Sequence, residues 1–378
     1  MIPFNKPPFT GEELTFISEA FSNEKLCGDG PFGKKCEEWI KERFNAKHVL
    51  LTPSCTAALE MAAILVGIVE GDEVIMPSYT FVSTANAFIL RGAKVVFVDV
   101  NPKTMNIDES KIVSAITNKT KAIVPVHYAG VSCNMDKVME IADEFGLWVI
   151  EDAAQGVMSS YRERSLGTIG HIGCYSFHET KNYTSGGEGG AIIIQDESLI
   201  EKANIIREKG TNRHKFLQGQ VDKYTWVNIG SSFLPSELQA AFLFSQLQNA
   251  DKINESRLKV WLDYYERLSV LEKRELLELP FIPDFVSHNA HMFFIKVRDA
   301  SQRQSLLSFL KQKGIQATFH YVPLHSSPYG AAHCSFHGQD QFTSDCAGRL
   351  IRLPIWYNMP AEDVCYVADM VLEFFADE

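Results

Sequence analysis

The sequence predicts an α/β protein: a large domain on a mostly parallel sheet, then a smaller C-terminal α+β domain. Three observations predict it. Short apolar runs alternate with helix-like segments between residues 49 and 194. The runs are apolar throughout, as in strands covered on both faces. Beyond residue 238 the pattern turns long and helical, and a new strand-like run opens at His291.

The elements follow in order. Residues 11–25 read as a helix and 33–44 as a second, amphipathic one. Residues 49–51 form a strand and 57–66 a helix. Residues 74–76 form the next strand, with a helix over 84–90. The runs 95–98, 123–126, 147–150 and 191–194 are strands of the buried kind. A helical stretch covers 238–274, and 291–297 starts the α+β region. The domain change is expected near residue 250, inside a continuous helical stretch, giving domains 1–250 and 251–378. The chain has no Pro/Gly-rich linker, internal repeat or low-complexity tract.

Composition narrows the function. Of 378 residues, 46% are hydrophobic, enough for a packed core. The net charge of −11 disfavours nucleic acid as partner, which wants a basic face. No apolar run has the length of a membrane span. The start, Met1-Ile2-Pro3-Phe4-Asn5-Lys6, lacks a charged segment followed by an apolar core, so a cytoplasmic protein is expected. The eight cysteines include no CxxC pair and read as reduced, mostly buried side chains. His288/His291 and His333/His337 lack third and fourth ligands at standard spacing, so no metal is expected.

The chemistry concentrates in three segments. Leu147-Trp148-Val149-Ile150-Glu151-Asp152-Ala153-Ala154-Gln155 is an apolar strand ending in carboxylates. Ser176-Phe177-His178-Glu179-Thr180-Lys181 carries one lysine toward Gly186-Gly187-Glu188-Gly189-Gly190. An amine and an aspartate on neighbouring strand ends suit pyridoxal phosphate: the amine links to its aldehyde, and the carboxylate keeps its ring nitrogen protonated. Thr52-Pro53-Ser54-Cys55-Thr56-Ala57-Ala58-Leu59 joins strand to helix and offers amides and hydroxyls to an anion. Each signal alone has an ordinary reading: a surface lysine, a strand-end Asp, a Ser/Thr cap. Their conjunction carries the assignment.

Two glycine motifs are decoys. Gly28-Asp29-Gly30-Pro31-Phe32-Gly33 matches G-x-G-x-x-G but follows a helix rather than a strand, so it reads as a flexible turn. Gly186 to Gly190 precedes a strand, and its expected task is a sharp turn beside Lys181.

Along its whole length the chain resembles the sugar-nucleotide aminotransferases of the DegT/DnrJ/EryC1/StrS family, within fold type I of the pyridoxal phosphate enzymes. The likeness is carried by Asp152-Ala153-Ala154-Gln155, by Ser176 through Lys181, and by Gly187-Glu188-Gly189-Gly190. The resemblance implies pyridoxal 5′-phosphate as cofactor, Lys181 as its point of attachment and proton carrier, and Asp152 at the ring nitrogen. It implies Thr56, Ala57 and Ser176 at the phosphate, Phe81 stacked on the ring, and Gln155 at the phenolic oxygen. His320, Tyr321 and His325 would face the substrate. It further implies a homodimer with shared active sites. Ser232 departs from the pattern: it stands where relatives carry an asparagine that reaches the partner's phosphate. Arg207 and Arg213 read as anion partners or as exposed, Arg213 rather the latter.

The expected substrates are a nucleotide-linked 4-keto-6-deoxyhexose and L-glutamate, used in ping-pong order. TDP-4-keto-6-deoxy-D-glucose would become TDP-4-amino-4,6-dideoxy-D-galactose. A 3-keto or GDP-linked sugar and a non-enzymatic regulatory role are the alternatives. Sugar-dehydrating relatives replace the lysine by histidine, which Lys181 argues against.

Overall fold

The computed structural model describes residues 1–376. Ten strands build the two sheets that position the site. They are β1 (His48–Thr52), β2 (Glu73–Pro77), β3 (Lys94–Val98), β4 (Thr120–Ile123), β5 (Trp148–Asp152), β6 (Ile172–Ser176), β7 (Gly190–Ile194), β8 (Phe293–Lys296), β9 (Ser335–Phe336) and β10 (Leu350–Leu353). One eight-stranded sheet runs β1-β7-β6-β5-β4-β2-β3-β9. Its pairs are parallel except β1/β7 and β7/β6. Helices cover both faces, so the strands are buried and their sequences need no polar alternation.

The two antiparallel pairs place the site. Because β1 and β6 both oppose β7, they point the same way as β5 and β2. The C-terminal ends of all four strands therefore meet at one edge, where β7 begins. The register shows it: Thr52 and Ser176 both pair with Gly190, and Asp152 pairs with Cys174. Ligands of open α/β sheets bind outside the carboxyl ends of the strands.

Five helices frame this edge. Helices α1 (Glu13–Ser22) and α2 (Pro31–Phe44) pack with α5 (Glu237–Gln248) on one face. Helices α3 (Cys55–Leu65) and α4 (Val82–Ile89) lie on the other. The turn before α2 is anchored, not flexible. Gly30, Phe32 and Gly33 donate backbone N–H bonds at 3.1, 2.8 and 2.8 Å to the buried Glu237 carboxylate.

The helical stretch near residue 250 is broken, not continuous. Helix α5 ends at Gln248, α6 (Ala250–Lys273) starts two residues on, and Asn249 between them leaves helical geometry. A second core joins α6 to β8, β10 and α7 (Ala361–Phe374), and takes in Ile2 from the N-terminus. The first residues form a strap: Ile2 bonds the backbone at Gly314 and Gln316, and Gln246 of α5 reaches Pro8. Strand β9 returns from the C-terminal region to pair with β3. No helix among the described residues is long and apolar enough to cross a membrane.

Candidate active site

The phosphate end of the site starts with a cap. Ser54 is extended, and its Oγ accepts from the Ala57 amide at 3.1 Å, opening α3. The Thr56 hydroxyl shares a 2.7 Å bond with Ser83. Gly190 must pass this helix start closely: a β-carbon there would lie 2.4 Å from the Ser54 carbonyl carbon and 2.5 Å from the Cys55 nitrogen. The turn feeding it uses Gly186 and Gly187 at φ +78° and +132°, which glycine alone adopts freely. Ser176, at the end of β6, lines the same cavity. The first-turn amides and dipole of α3, with hydroxyls nearby, make a cradle that suits a phosphate.

Lys181 follows β6, its backbone tied to the His178 carbonyl at 2.9 Å. The half-buried side chain enters a cavity of about 570 Å³. Burial pushes its amine below the usual lysine range, against the opposing pull of Cys55 and Asp152. No ion pair or side-chain hydrogen bond engages the amine among the described residues, so it is free to react. Cys55 itself is buried, which pushes its thiol far up and leaves it a packing residue.

Strand alternation separates the two carboxylates at the end of β5. Glu151 is buried away from the cavity. It accepts from Gly167, Ile169, Gly170 and the His127 ring at 2.6 to 2.8 Å. Burial raises its pKa, but these bonds outweigh that and hold it below the usual range. Asp152 faces the cavity, 6% exposed. Thr84 donates to its Oδ2 at 2.6 Å and the Ala154 amide to its Oδ1 at 3.2 Å.

Part of the lining is aromatic. Phe81 is 57% exposed and lines the cavity, an apolar ring that a planar cofactor would cover. Tyr321 stacks on His320, with ring centroids 4.0 Å apart. Gln155 accepts from the Ala129 amide at 2.6 Å and donates to the Tyr321 hydroxyl at 3.2 Å. Burial pushes the Tyr321 phenol up. Burial, then Arg352 and Lys181, push His320 down to about 2, so it is neutral. A reactive amine, a fixed carboxylate, an exposed ring and an anion cradle on one cavity fit pyridoxal phosphate.

The structure thus brings Thr56, Phe81, Asp152 and Gln155 together with Ser176, Lys181, His320 and Tyr321. It leaves out three expected residues. Ala57 lies one residue deeper in α3, its amide engaged by Ser54. His325 is turned away: its ring nitrogens meet Ser78 at 2.7 Å and Asp340 at 3.1 Å. Ser232 is exposed and bridges to the backbone of Glu208, four residues before the true helix cap, Ser236. Arg207 is neither exposed nor near the cavity, because Asp29 and Glu37 hold it at 2.5 and 2.8 Å in a buried cluster. Arg213 is half-buried and pairs with Glu208 at 3.0 Å. His288 packs on Trp261 and His291 bonds Asn182, and no metal-ligand group occurs among the described residues.

Sequence reasoning missed Phe4, Thr84, His291 and Arg352, all of which line the cavity. Arg352 had a signal: one charge inside the apolar run Leu350-Ile351-Arg352-Leu353. Phe4 had none, since only the folded strap brings it to the site.

Sheet, cavity and lysine together define a pyridoxal phosphate-dependent transferase of fold type I. The chain belongs to the DegT/DnrJ/EryC1/StrS aminotransferase family, whose model matches residues 9–372. Members of this family are sugar aminotransferases that depend on pyridoxal phosphate. GDP-perosamine synthase of Escherichia coli O157:H7 is 30% identical over 377 residues, covering 100% of this chain and 99% of its own. The spore coat polysaccharide biosynthesis protein SpsC of Bacillus subtilis (strain 168) is 32% identical, over 98% of this chain and 96% of its own. The aminotransferase TlmJ from Streptoalloteichus hindustanus superposes with a TM-score of 0.91 at 28% identity, covering 100% of this chain and 99% of that one.

Proposed function

We propose that this sugar-nucleotide aminotransferase converts TDP-4-keto-6-deoxy-D-glucose to TDP-4-amino-4,6-dideoxy-D-galactose with L-glutamate as donor, in ping-pong order. The observation that carries the reading of the site is the free Lys181 amine beside Asp152 on one cavity. The choice of sugar rests on the resemblance of the sequence to transaminases that make this amino sugar for surface polysaccharide.

Bound pyridoxal phosphate supplies a carbonyl that relays the amino group and a ring that takes up electron density. The chain does the rest. The start of α3, with Thr56 and Ser176, holds the phosphate. Asp152, kept in place by Thr84, holds the proton on the ring nitrogen. The Lys181 amine, made less basic by burial, would take the proton from the donor α-carbon and deliver it to the cofactor carbon that carries the nitrogen. In the sugar half-reaction it moves the proton in the opposite direction.

The working unit we propose is a homodimer with shared sites, its domains dividing near residue 250. The segment before Ser232 supports the dimer. It exposes Leu217, Trp226, Val227 and Ile229 together, Trp226 by 82%.

A GDP-linked sugar is the second reading, favoured by the full-length similarity to GDP-perosamine synthase. Product analysis with L-glutamate and each keto sugar nucleotide separates the two. Amination of TDP-4-keto-6-deoxy-D-glucose at C4 with galacto configuration is expected. Turnover of only the GDP-linked sugar would replace the first reading with the second.

A further inference from the structure

Asn182 directly follows Lys181 and is 3% exposed. Its side chain is held at both ends by the C-terminal region. Nδ2 donates to the Asn289 carbonyl at 2.8 Å, and Oδ1 lies 2.9 Å from His291 Nδ1. A carbonyl only accepts, so the first bond fixes which end of the amide is nitrogen. The other end must then accept, and His291 Nδ1 carries the proton. Burial, then Lys181, Arg257, Arg352 and His320, push this imidazole well below its usual range. The ring is neutral: Nδ1 donates to Asn182 and Nε2 keeps a lone pair. The same ring lines the cavity that holds Lys181.

The donor is itself clamped. Ala290 takes the left-handed conformation at φ +48°, which is costly for a residue with a β-carbon. Arg257 of α6 secures it. Its Nε donates to the Ala290 carbonyl at 3.1 Å, and a terminal nitrogen donates to the His291 carbonyl at 2.7 Å. The Asn289 side chain donates to the Gln155 and Val157 carbonyls at 2.8 and 2.7 Å and accepts from the His291 amide at 3.0 Å. One short segment thus ties the turn that carries Lys181 to the loop that carries Gln155. Strained backbone persists only where its surroundings over-determine it.

We propose that His291 is a positioning residue: through Asn182 it sets the direction in which Lys181 enters the cavity, a role that rests on reading Lys181 as the reacting amine. The Lys181 amine has no partner of its own among the described residues, so the turn alone aims it. Without the imidazole, Asn182 Oδ1 would be buried and unpaired, and the turn would relax to find water. The groups whose charge acts on the amine are Cys55 of α3, Asp152 of β5 and Arg352 of β10. Replacing His291 leaves all three in place.

The test uses His291→Phe, His291→Asn, His291→Gln and, from the other side of the bond, Asn182→Ala. Asparagine puts an amide nitrogen near the place of Nδ1, and glutamine reaches that of Nε2. Circular dichroism confirms folding. The full-length protein, freed of cofactor, is labelled with acetic anhydride across a pH series, and mass spectrometry reads the Lys181 peptide. Turnover with L-glutamate and the keto sugar nucleotide is measured on the loaded protein. His291→Phe should raise the labelling midpoint of Lys181 by roughly one pH unit, as the amine escapes burial, and cut turnover about 10- to 100-fold. Asn182→Ala should do the same. His291→Asn should recover most of both losses, and His291→Gln should not.

An unmoved Lys181 midpoint in His291→Phe, or in Asn182→Ala if that phenylalanine variant does not fold, overturns the proposal and leaves His291 a packing residue. Recovery by glutamine rather than asparagine also overturns it, in favour of direct contact from Nε2. If the loaded wild type turns over no substrate, the transaminase reading fails, and the labelling still decides whether His291 aims Lys181.

Discussion

Thr84 Oγ1 donates to Asp152 Oδ2 at 2.6 Å, and Thr80 meets the same hydroxyl at 2.8 Å. The strand end is thereby aimed by a helix that arrives from elsewhere in the sheet. Asp152→Asn keeps the shape and removes the charge. Turnover should fall at least ~100-fold, as for other positioned electrostatic groups. Thr84→Val leaves the charge and frees its direction, so a loss of about 10-fold is expected. Steady-state kinetics check both, with cofactor content measured in parallel. Unchanged half-reactions in Asp152→Asn would remove Asp152 from the ring nitrogen.

Lys181→Ala should abolish transamination while circular dichroism stays unchanged. The cofactor should still bind without a covalent link, through its phosphate. Near-normal turnover would remove Lys181 from both of its roles.

The same lysine makes a signed pH prediction for the cofactor-free protein. Burial lowers the folded pKa below the unfolded value, so the unfolded chain binds more protons between the two. The lysine therefore weakens the fold near neutral pH, and the penalty fades as pH rises toward 10.5. Lys181→Met should melt higher than wild type at pH 7, and the gap should narrow by pH 10. Thermal melts at the two pH values suffice; a gap that widens with pH contradicts the burial argument.

Gly190→Ala puts a methyl group 2.4 Å from backbone at the start of α3. Backbone cannot swing aside as a side chain can. A loss of about 1–3 kcal/mol is expected, the range for overpacking. Cofactor affinity should fall with it, because the phosphate cradle is what moves. A variant that melts and binds as wild type would show that β7 has slack the geometry does not suggest.

Ser232→Ala probes the expected contribution across the dimer. Cofactor affinity should drop by about 1 kcal/mol, the net worth of one hydrogen bond. Titration of the cofactor-free protein measures it, and the dimer itself should persist. Equal affinities would leave Ser232 a surface residue with no part in the site.

Strand ends explain how much could be read in advance. Asp152, Ser176, Thr56 and Phe81 each follow an apolar run closely, and chain order delivers them to one sheet edge. Lys181 comes five residues after Ser176, so it travels with it. Arg352 and His291 belong to the C-terminal region, and nothing local says that their strand and loop face the sheet edge. His325 failed for the same reason in reverse. It lies four residues from Tyr321, but the Ser78 and Asp340 contacts turn it away. Even the alternation of Glu151 and Asp152 left open which carboxylate faces inward until the neighbouring strands were placed.

The strap has a consequence for anyone preparing the protein. Met1 itself is 94% exposed. Three residues further in, the ring of Phe4 lies over the Arg352 guanidinium, and Ile2 is lodged in the second core. Clipping by an aminopeptidase would take away both while sparing every residue of the sheet edge. Such a batch should look folded and carry cofactor, yet lack the Phe4 part of the cavity lining. Intact-mass measurement before kinetics would tell a clipped batch from a genuine variant effect.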